Sequence, residues 1–438
     1  MVPCYTCKPM STDTYLSIDF GTSNSLVGAY HQGKRYEALT LDKKANDPTM
    51  MRTLLYFPNP DLCYYGSEAI EQYIEQDMEG RLFRSFKSHL PNQNYLGTVL
   101  DNRILTLESM IGTFLLELKK RAEQTLDTSV EKAVIGRPAR YSMDSVADGF
   151  ALHRMQKAAA FAGFKEVHFV PEPLAAAFDY RRELTAEKIV LIGDFGGGTS
   201  DFTLIKLRPS GFSKEDVLAI DGCPLAGDAL DSVFMSHKLN EYFGAKSRYR
   251  LPMGSNVMTM PKGVTLRLNH PAHIVHLKEK DTYEFIREVK KCSLTANDAS
   301  AVERLFILIE DQQIFPFFEN IERTKRALSN SEETEFTFDY PGLEIREHFT
   351  SKMFVEWAEE TRQNIFNSLD QCLKDANVTV DQVDLVCLTG GTAKVPFIQK
   401  EFEKRFGPQR LQTQSHFHSV LSGLTEAAGF VANGQQVV

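Results

Sequence analysis

Two stretches of the sequence place an aspartate directly before a turn rich in glycine and hydroxyl residues. Asp19 precedes Phe20-Gly21-Thr22-Ser23-Asn24, and Asp194 precedes Phe195-Gly196-Gly197-Gly198-Thr199-Ser200-Asp201. Glycines lack Cβ atoms, so backbone N–H groups in such turns can approach a phosphate closely. A carboxylate beside the turn can hold Mg²⁺, usually through water. One such turn alone would indicate only a tight hairpin, but the repetition predicts that two turns grip one polyphosphate.

Each turn follows a predicted buried strand, Tyr15–Phe20 in the first case and Ile189–Asp194 in the second. After the first turn we expect strands at Leu26–Tyr30 and near Tyr36–Leu41, and after the second a strand at Asp201–Leu207. The similarity of LSIDF-GTSN to LIGDF-GGGTSD indicates a repeated βββαβα unit. Such a repeat predicts two homologous lobes that face each other.

Helices and further strands are predicted from apolar spacing and from turn residues. Apolar residues at helical spacing predict Thr106–Gln124, and Gly163 is placed to stop a helix over Ser142–Phe161. Between about 229 and 355 the character of the chain changes, which predicts an inserted subdomain. The remaining predictions are strand Lys132–Arg137, strand Val167–Val170, a helix from Leu174, loops or short strands over Arg248–His276, one helix over Ala301–Ser329 bent at Pro316, strand Glu333–Tyr340, helix Ser351–Lys374, strand Val383–Thr389, helix Val395–Phe406 and helix Ser419–Val431.

The composition is that of an ordinary globular protein. The 438 residues are 42% hydrophobic and carry a formal net charge of −9, which disfavours a nucleic-acid scaffold. We expect neither a membrane span nor a signal peptide, because no long apolar run and no basic leader are present. The odd number of scattered cysteines, 7, favours reduced thiols and a cytoplasmic location. Cys4 and Cys7 are interpreted as part of an inert tail.

Five segments, read together, resemble a known family. IDFGTSNS, VPEPLAAAFDY, DFGGGTSDF, IERTKRALS and LTGGTAKVPFIQKEF resemble, in order and spacing, the signature regions of the Hsp70 nucleotide-binding domain within the actin-like ATPase superfamily. The resemblance spans about residues 15–435 and is greatest to the short bacterial YegD-type Hsp70-like chaperones. It implies an α/β, ribonuclease H-like fold with duplicated βββαβα lobes, two inserted subdomains and a central nucleotide cleft.

The resemblance and the element pattern together predict the domain boundaries. They give a flexible tail at 1–14, a lobe I core at 15–45 and 130–190 with an inserted subdomain at 46–129, a lobe II core at 191–228 and 356–417 with an inserted subdomain at 229–355, and a final helix at 418–438 that packs back on lobe I.

The family's phosphate and metal residues carry over onto matching positions. Gly21, Thr22, Ser23 and Asn24 form the first phosphate turn, and Gly196, Gly197, Gly198 and Thr199 form the second. The resemblance places Lys87 at the γ-phosphate and the attacking water, where a cation can stabilise developing charge. It implies that Asp19, Asp194 and Glu172 hold Mg²⁺ through water, and that Lys87, Glu172, Asp194, Asp201 and Thr199 act in catalysis. From the sequence alone Lys87 would be a solvated residue, and Glu172 a charge at a helix N-terminus.

The resemblance also implies an adenosine site. Its residues would be Glu322, Lys325, Arg326 and Ser329 on one helix face, with Gly227, Gly390, Gly391, Thr392 and Lys394. A solvated charged face is the alternative interpretation of that helix. The sequence departs from the family at Ala226, where a glycine is usual, at Lys394, which lacks the stacking plane of arginine, and at 415–418, which holds no acid.

The resulting hypothesis is an ATP- and ADP-binding, Mg²⁺-dependent Hsp70-like protein with slow, weak ATP hydrolysis and a chaperone-related role. The alternatives are a filament ATPase of the MreB kind, a metabolite kinase on the same fold, and a nucleotide sensor without turnover. We expect no peptide clamp within this sequence, no binding to nucleic acid or membrane, and a protein partner on the 229–355 subdomain.

Overall fold

The computed structural model describes residues 14–76, 79–142, 144–181, 184–208, 214–252, 254–412 and 418–435. These form two compact units. The first contains the described residues within Met1–Pro224, Ser368–Ala393 and Glu401–Val438, and the second contains those within Leu225–Asn367 and Lys394–Lys400. None of the helices in the described ranges is both long and apolar enough to cross a bilayer. Thr14 is the described part of the predicted tail, so Cys4 and Cys7 lie outside the described residues.

The first unit contains a six-stranded sheet centred on strand Tyr15–Phe20. This strand pairs antiparallel with Asn24–His31 and parallel with Lys132–Arg137. Its side chains are almost all buried, which is typical of a strand covered on both faces. The other strands of the sheet are Lys34–Tyr36, Met50–Arg52 and Glu166–Pro171.

A second sheet of the same unit is centred on strand Lys188–Phe195. It pairs antiparallel with Ser200–Leu207 and parallel with Leu385–Thr389. Val217–Cys223 extends the antiparallel side, and Leu411–Gln412 extends the parallel side. Along the chain, the five strands of this sheet follow the same order and directions of pairing as the five strands on the main path of the first sheet.

Helices cover these sheets, and smaller sheets complete the unit. The long helix Leu107–Leu126 begins at Thr106, whose hydroxyl accepts the backbone N–H of Ser109, and it buries the apolar stripe expected from the sequence. The other helices are Gly66–Glu75, Ser145–Phe161, Glu172–Arg181 and Ser419–Ala432, while Glu359–Asp375 and Pro396–Phe406 have residues in both units. The smaller sheets contain Leu54–Asn59, Leu62–Tyr65 and Arg81–Arg84, and Gly97–Leu100 with Arg103–Thr106.

The last helix, Ser419–Ala432, is buried along most of its length. It packs against the strands of the first sheet and against helix Glu172–Arg181. The Ser17 and Thr425 hydroxyls are 2.6 Å apart within this contact. Gly423 faces the carbonyl of Ala175 so closely that a Cβ atom there would lie 1.7 Å from the oxygen. The helix therefore fixes the start of Glu172–Arg181, where Glu172 lies.

The second unit is mainly helical and has an aromatic core. Phe234 packs on Phe349, Phe354 and Trp357, with ring centroids 5.1–6.2 Å apart. Its helices are Gly227–His237, Lys262–Leu268, Pro271–Ile274, Lys280–Lys291, Ala296–Glu310, Ile314–Leu328 and Ser351–Trp357, and its strands are Arg248–Tyr249, Met258–Thr259, Glu333–Phe338 and Ile345–Thr350.

Several predicted elements were wrong in this second half. The single helix over Ala301–Ser329 is two helices that separate at Gln312, which has a φ of 54°. Pro316 lies in the first turn of the second helix, where a missing N–H is tolerated. The predicted helix Ser351–Lys374 is likewise divided at Ala358, and helices occur within Arg248–His276.

Most of the elements predicted for the first half of the chain were confirmed. Strand Lys132–Arg137, for example, ends directly before Pro138, as predicted. The third strand is an exception, because it covers Lys34–Tyr36 and leaves 37–41 outside any strand.

Two helical glycines test the close contact of the last helix. We expect Gly423→Ala to lower the free energy of unfolding of the first unit by about 2 kcal/mol, because the added methyl must push two helices apart. Gly149→Ala is the matched control, since its position in helix Ser145–Phe161 faces open space. That variant should gain about 0.5–1 kcal/mol. Denaturant titration measures both, and equal effects of the two substitutions would contradict the packing.

Candidate functional site

Two aspartates end the central strands of the two sheets in the first unit. Asp19 is the penultimate residue of Tyr15–Phe20, and Asp194 is the penultimate residue of Lys188–Phe195. Asp194 lies directly opposite Asp201 on the neighbouring antiparallel strand. The two aspartates therefore lie at the strand ends from which the glycine-rich turns begin.

Lys87 reaches the first of these strand ends from a short 3-10 helix, Phe86–His89. Its Nζ donates to the carbonyl oxygen of Phe20 at 2.5 Å and to Oε1 of Glu172 at 3.0 Å. The lysine side chain is only 7% exposed. Phe86 anchors the segment by packing on Phe20 and Phe114, with ring centroids 6.1 and 6.0 Å away. Lys87 is thus a buried, paired residue, and the solvated alternative is wrong.

Four acids, Asp19, Glu172, Asp194 and Asp201, form what we call the acidic cluster. Burial raises the pKa of Asp19 to about 8, with a further contribution from the charge of Glu172. Burial likewise raises the pKa of Asp201 to about 7 and that of Asp194 to about 6. Lys87 opposes all three shifts without cancelling them. Additional positive charge at the acidic cluster would therefore favour ionised carboxylates.

Hydroxyl groups orient two members of the acidic cluster. Thr389 Oγ1 donates to Asp194 Oδ1 at 2.8 Å from the adjacent parallel strand. Thr199 Oγ1 donates to Asp201 Oδ2, also at 2.8 Å. Both bonds lower the pKa of the acceptor carboxyl and so oppose burial.

Threonines also hold the two glycine-rich turns. The buried residue Thr53 donates its N–H to the Ser23 carbonyl at 2.9 Å and its hydroxyl to the Gly21 carbonyl at 2.8 Å. In the second turn, Thr392 Oγ1 donates to the Gly196 carbonyl at 3.0 Å, and Gly196 N–H bonds the Thr199 carbonyl at the same distance. Thr199 and Gly196 themselves are exposed. The turns are therefore rigid yet open to a ligand.

Gly390 belongs to this second turn for a steric reason. Its φ is 84°, and a Cβ atom there would lie 2.0 Å from the Phe195 carbonyl oxygen. A glycine is required for strand Leu385–Thr389 to turn so close to strand Lys188–Phe195. The resemblance assigned Gly390 to the adenine, and the structure shows this packing role.

The second unit holds the helix assigned to adenosine, Ile314–Leu328. Lys325 Nζ pairs with Asp231 Oδ1 at 2.8 Å and donates to the Gly227 carbonyl at 3.1 Å. Burial raises the pKa of Asp231 to about 6, against the opposing effect of Lys325. Arg326 is 74% exposed and pairs with Glu322 at 2.6 Å. Lys325 is thus bound to protein atoms, whereas Arg326 lies on an open face.

The predicted site residues therefore fall into two groups. The structure brings Lys87 and the acidic cluster together with the turn residues, all within the first unit. Within the second unit it joins Gly227 with Lys325, while Ser329 ends the same helix and donates to the Lys325 carbonyl. The exposed residue Lys394 also belongs to this unit. A nucleotide site that uses both groups stays a prediction.

Sequence reasoning missed Thr53, Thr389 and Asp231. Thr53 is distant in sequence from the turn that it holds, and no local pattern marks it. Thr389 could have been found, because it ends a predicted buried strand next to Gly390. Asp231 lies one helical turn after Gly227 and gave no separate signal.

Mg²⁺ is the metal implied for the acidic cluster. Among the residues that the structure describes, no three His, Cys, Asp or Glu side chains converge closely enough to hold a metal ion alone. Mg²⁺ commonly keeps several waters and binds one or two carboxylates together with substrate phosphates. The partly buried, incompletely neutralised carboxyls of the acidic cluster fit that mode of binding and not a closed protein cage.

The first unit thus has the features of an α/β protein that binds phosphate at strand ends. The family model described as "Hsp70 protein" matches residues 65–260 and 308–430. The chain belongs to the Hsp70 family, and its matched region is the nucleotide-binding domain. This family implies the actin-like ATPase fold, with which the mixed α/β structure is consistent.

Curated relatives are similar to this chain over most of its length. Chaperone protein DnaK 3 of Synechococcus sp. is 25% identical over an alignment of 408 residues that covers 90% of this chain and 54% of that protein. HscA homologs of Aliivibrio fischeri and Shewanella piezotolerans are each 24% identical, over 92% of this chain and 56% of theirs. The chain spans about half the length of the curated relatives it matches. The narrower assignment to a YegD type stays a prediction.

The raised pKa of Asp19 predicts a pH-dependent stability. An aspartate titrates near 3.8 when unperturbed and near 8 here, so between these values the folded chain holds a proton that the unfolded chain has lost. The stability of the cation-free protein should therefore fall as the pH rises from about 4 to about 8. Asp19→Asn removes this loss of stability, because an amide does not titrate. We therefore expect the variant to melt at a higher temperature than the wild type in EDTA, and this difference in melting temperature should be several degrees larger at pH 8 than at pH 5.

Asp61→Asn is the control for this experiment, because the Asp61 side chain is 76% exposed. Its melting temperature should follow the wild type at both pH values. A difference between Asp19→Asn and the wild type that is the same at pH 5 and pH 8 would contradict the raised pKa.

Proposed function

We propose that this chain binds ATP and ADP together with Mg²⁺, hydrolyses ATP slowly and serves a chaperone-related role. The observation that carries the proposal is the acidic cluster at the two strand ends beside Lys87, because the lysine bonds Glu172 and lowers the pKa values of the three aspartates without cancelling their rise. The membership in the Hsp70 family and the similarity to chaperones support the same proposal.

The two turns supply the proposed phosphate contacts. Gly21, Thr22 and Ser23 form one turn, and Gly196–Thr199 forms the other. Thr53 and Thr392 bind carbonyl groups of the two turns, and the Gly196 N–H is bonded to the Thr199 carbonyl. The other N–H groups of the turns are proposed to contact phosphate without reorganising, because these bonds fix the backbone beforehand. When bound, Mg²⁺ would neutralise phosphate charge beside Asp19, Asp194 and Glu172.

Lys87 is proposed to stabilise charge on the transferring phosphoryl group. Its ammonium group is held by the Phe20 carbonyl and the Glu172 carboxylate, so its position is fixed before the reaction. Asp201, Asp194 or Glu172 would orient the attacking water by accepting its hydrogen bond. A carboxyl with a pKa of about 7, as at Asp201, can also take up a proton near neutral pH.

The adenosine is proposed to contact the open face of helix Ile314–Leu328. Arg326 supports this, because its side chain is largely exposed and its pairing with Glu322 is a surface interaction of little energy. Ser329, Gly391 and Lys394 are further proposed contacts. Lys325 is proposed to act indirectly, by holding the Gly227 carbonyl and Asp231.

Duplicated lobes are part of the proposal. The same order and directions of strands in the two sheets support an internal repeat, with an aspartate at the equivalent end of each central strand. The predicted subdomain at 229–355 remains the proposed surface for a protein partner.

The metal assignment is tested at Asp194. We expect Asp194→Asn to weaken ATP binding in Mg²⁺ by at least about 10-fold while leaving the weaker binding in EDTA nearly unchanged, because a neutral amide no longer attracts the cation. Isothermal titration calorimetry measures both affinities. The control is Asp61→Asn, the same substitution at an exposed side chain. Unchanged magnesium-dependent affinity and turnover in Asp194→Asn would show that the site is assigned wrongly.

The role of Lys87 is tested by separating turnover from affinity. Lys87→Ala should slow ATP hydrolysis by roughly 10²–10³-fold, which is the decrease expected when one preorganised charge donor is lost. The affinity for ATP should not change. Lys119→Ala is the matched control, since Lys119 is also buried and bonds the Gly163 carbonyl at 3.1 Å. Turnover in Lys87→Ala equal to that of the wild type would exclude a catalytic role.

A further inference from the structure

Lys87 lies in a stretch of chain that little local structure supports. We call residues 85–96 the Lys87 segment. It begins at Ser85 with a φ of 54°, contains the 3-10 helix Phe86–His89 and joins no sheet. Its internal backbone bonds are short-range turns, such as Leu90 N–H to the Lys87 carbonyl at 3.1 Å. Segments of this kind open readily unless other contacts hold them.

Arg154 supplies such contacts from the middle of helix Ser145–Phe161. Its guanidinium donates to the backbone carbonyls of Tyr95 at 2.8 Å, Asn92 at 3.2 Å and His89 at 3.4 Å. The fourth contact is from Nε to Glu108 Oε1, at 2.8 Å, on helix Leu107–Leu126. One side chain therefore joins two helices to three carbonyls of the Lys87 segment.

The burial of Arg154 makes these contacts strong. It is 2% exposed, and a buried charge is tolerated only where its hydrogen bonds are satisfied. Glu108 supplies the opposite charge. Burial alone would raise the pKa of Glu108, but the hydrogen bond and the charge of Arg154, together with a bond to the Glu108 backbone N–H and the charge of Lys157, hold that pKa below its usual range. The planar fork of arginine reaches four acceptors, which a lysine at this position cannot do.

The Lys87 segment is thus fixed on two sides. Phe86 and Leu90 bury their side chains in the apolar core, while Arg154 binds the carbonyls that follow. We infer that Arg154 is the positioning residue for Lys87, which holds the Lys87 segment so that the ammonium group stays at Phe20 and Glu172. This inference rests on the proposed catalytic function of Lys87.

Lys119 provides a matched control for Arg154. Both are buried cations that donate to backbone carbonyls, but Lys119 bonds Ala162 and Gly163 after the end of helix Ser145–Phe161. Removal of either should reduce stability, whereas only the removal of Arg154 should release the Lys87 segment.

The kinetic test uses the full chain and a double-mutant cycle. Arg154→Met should lower kcat for ATP by roughly 10-fold or more with KM unchanged, because a small displacement of a catalytic group is costly. In the Lys87→Ala background the same change should have no further effect on kcat. Lys119→Met should leave kcat unchanged. The inference would be overturned if Arg154→Met lowered kcat by the same factor in the Lys87→Ala background as in the wild type. It would also be overturned if Lys119→Met lowered kcat as much as Arg154→Met does.

A second measurement does not depend on activity. Amide hydrogen exchange of residues 85–96 should accelerate by at least about 10-fold in Arg154→Met and not in Lys119→Met. Arg154→Lys, which retains the charge, should accelerate exchange less and serves if the methionine variant does not fold. Unchanged exchange in both Arg154 variants would overturn the inference. If the wild-type chain shows no turnover, the proposed function fails, and the exchange of this segment alone decides whether Arg154 fixes it.

Discussion

The crowding of four carboxyls near the ammonium group of Lys87, those of the buried Glu172 and of the partly buried Asp19, Asp194 and Asp201, is the constraint on which the first unit depends. Removal from water disfavours the ionised form of a carboxyl, and neighbouring carboxylates add repulsion, so the pKa values of Asp19, Asp194 and Asp201 are raised chiefly by burial and further by the charges around them. Lys87 reduces the repulsion without removing it. The surrounding structure must hold such an arrangement in place, and a cation bound there would reduce the repulsion further.

Contacts from several elements hold these carboxyls and Lys87 in place. Two sheets of the same strand order each end a buried central strand beside the acidic cluster, and threonine hydroxyls fix the turns and Asp194. The last helix fixes the start of helix Glu172–Arg181 through the close approach of Gly423 to Ala175. Arg154 fixes the segment that carries Lys87. In each of these contacts, the residue that supports is distant in sequence from the residue that it orients.

That distance explains which features could be predicted. Strand Tyr15–Phe20 and helix Leu107–Leu126 follow from local apolar period, and Asp19 and Asp194 from the repeated turn. The family resemblance was needed for Lys87, because neither its burial nor its pairing with Glu172 has a local signal. Pro316 was misinterpreted as a bend, since a proline in a first helical turn and one in a helix interior look alike in sequence. Thr53 and Arg154 depend on tertiary contacts that no period in the sequence reveals.

We propose that a cation that arrives with nucleotide phosphates completes the acidic cluster. Thermal unfolding of the wild-type chain with ATP plus Mg²⁺, with ATP in EDTA, and with Mg²⁺ alone tests it most directly, because a ligand that binds the folded state raises the melting temperature. We expect a large increase in the melting temperature only when ATP and Mg²⁺ are both present. An equal increase with ATP in EDTA, or none in any condition, would contradict it.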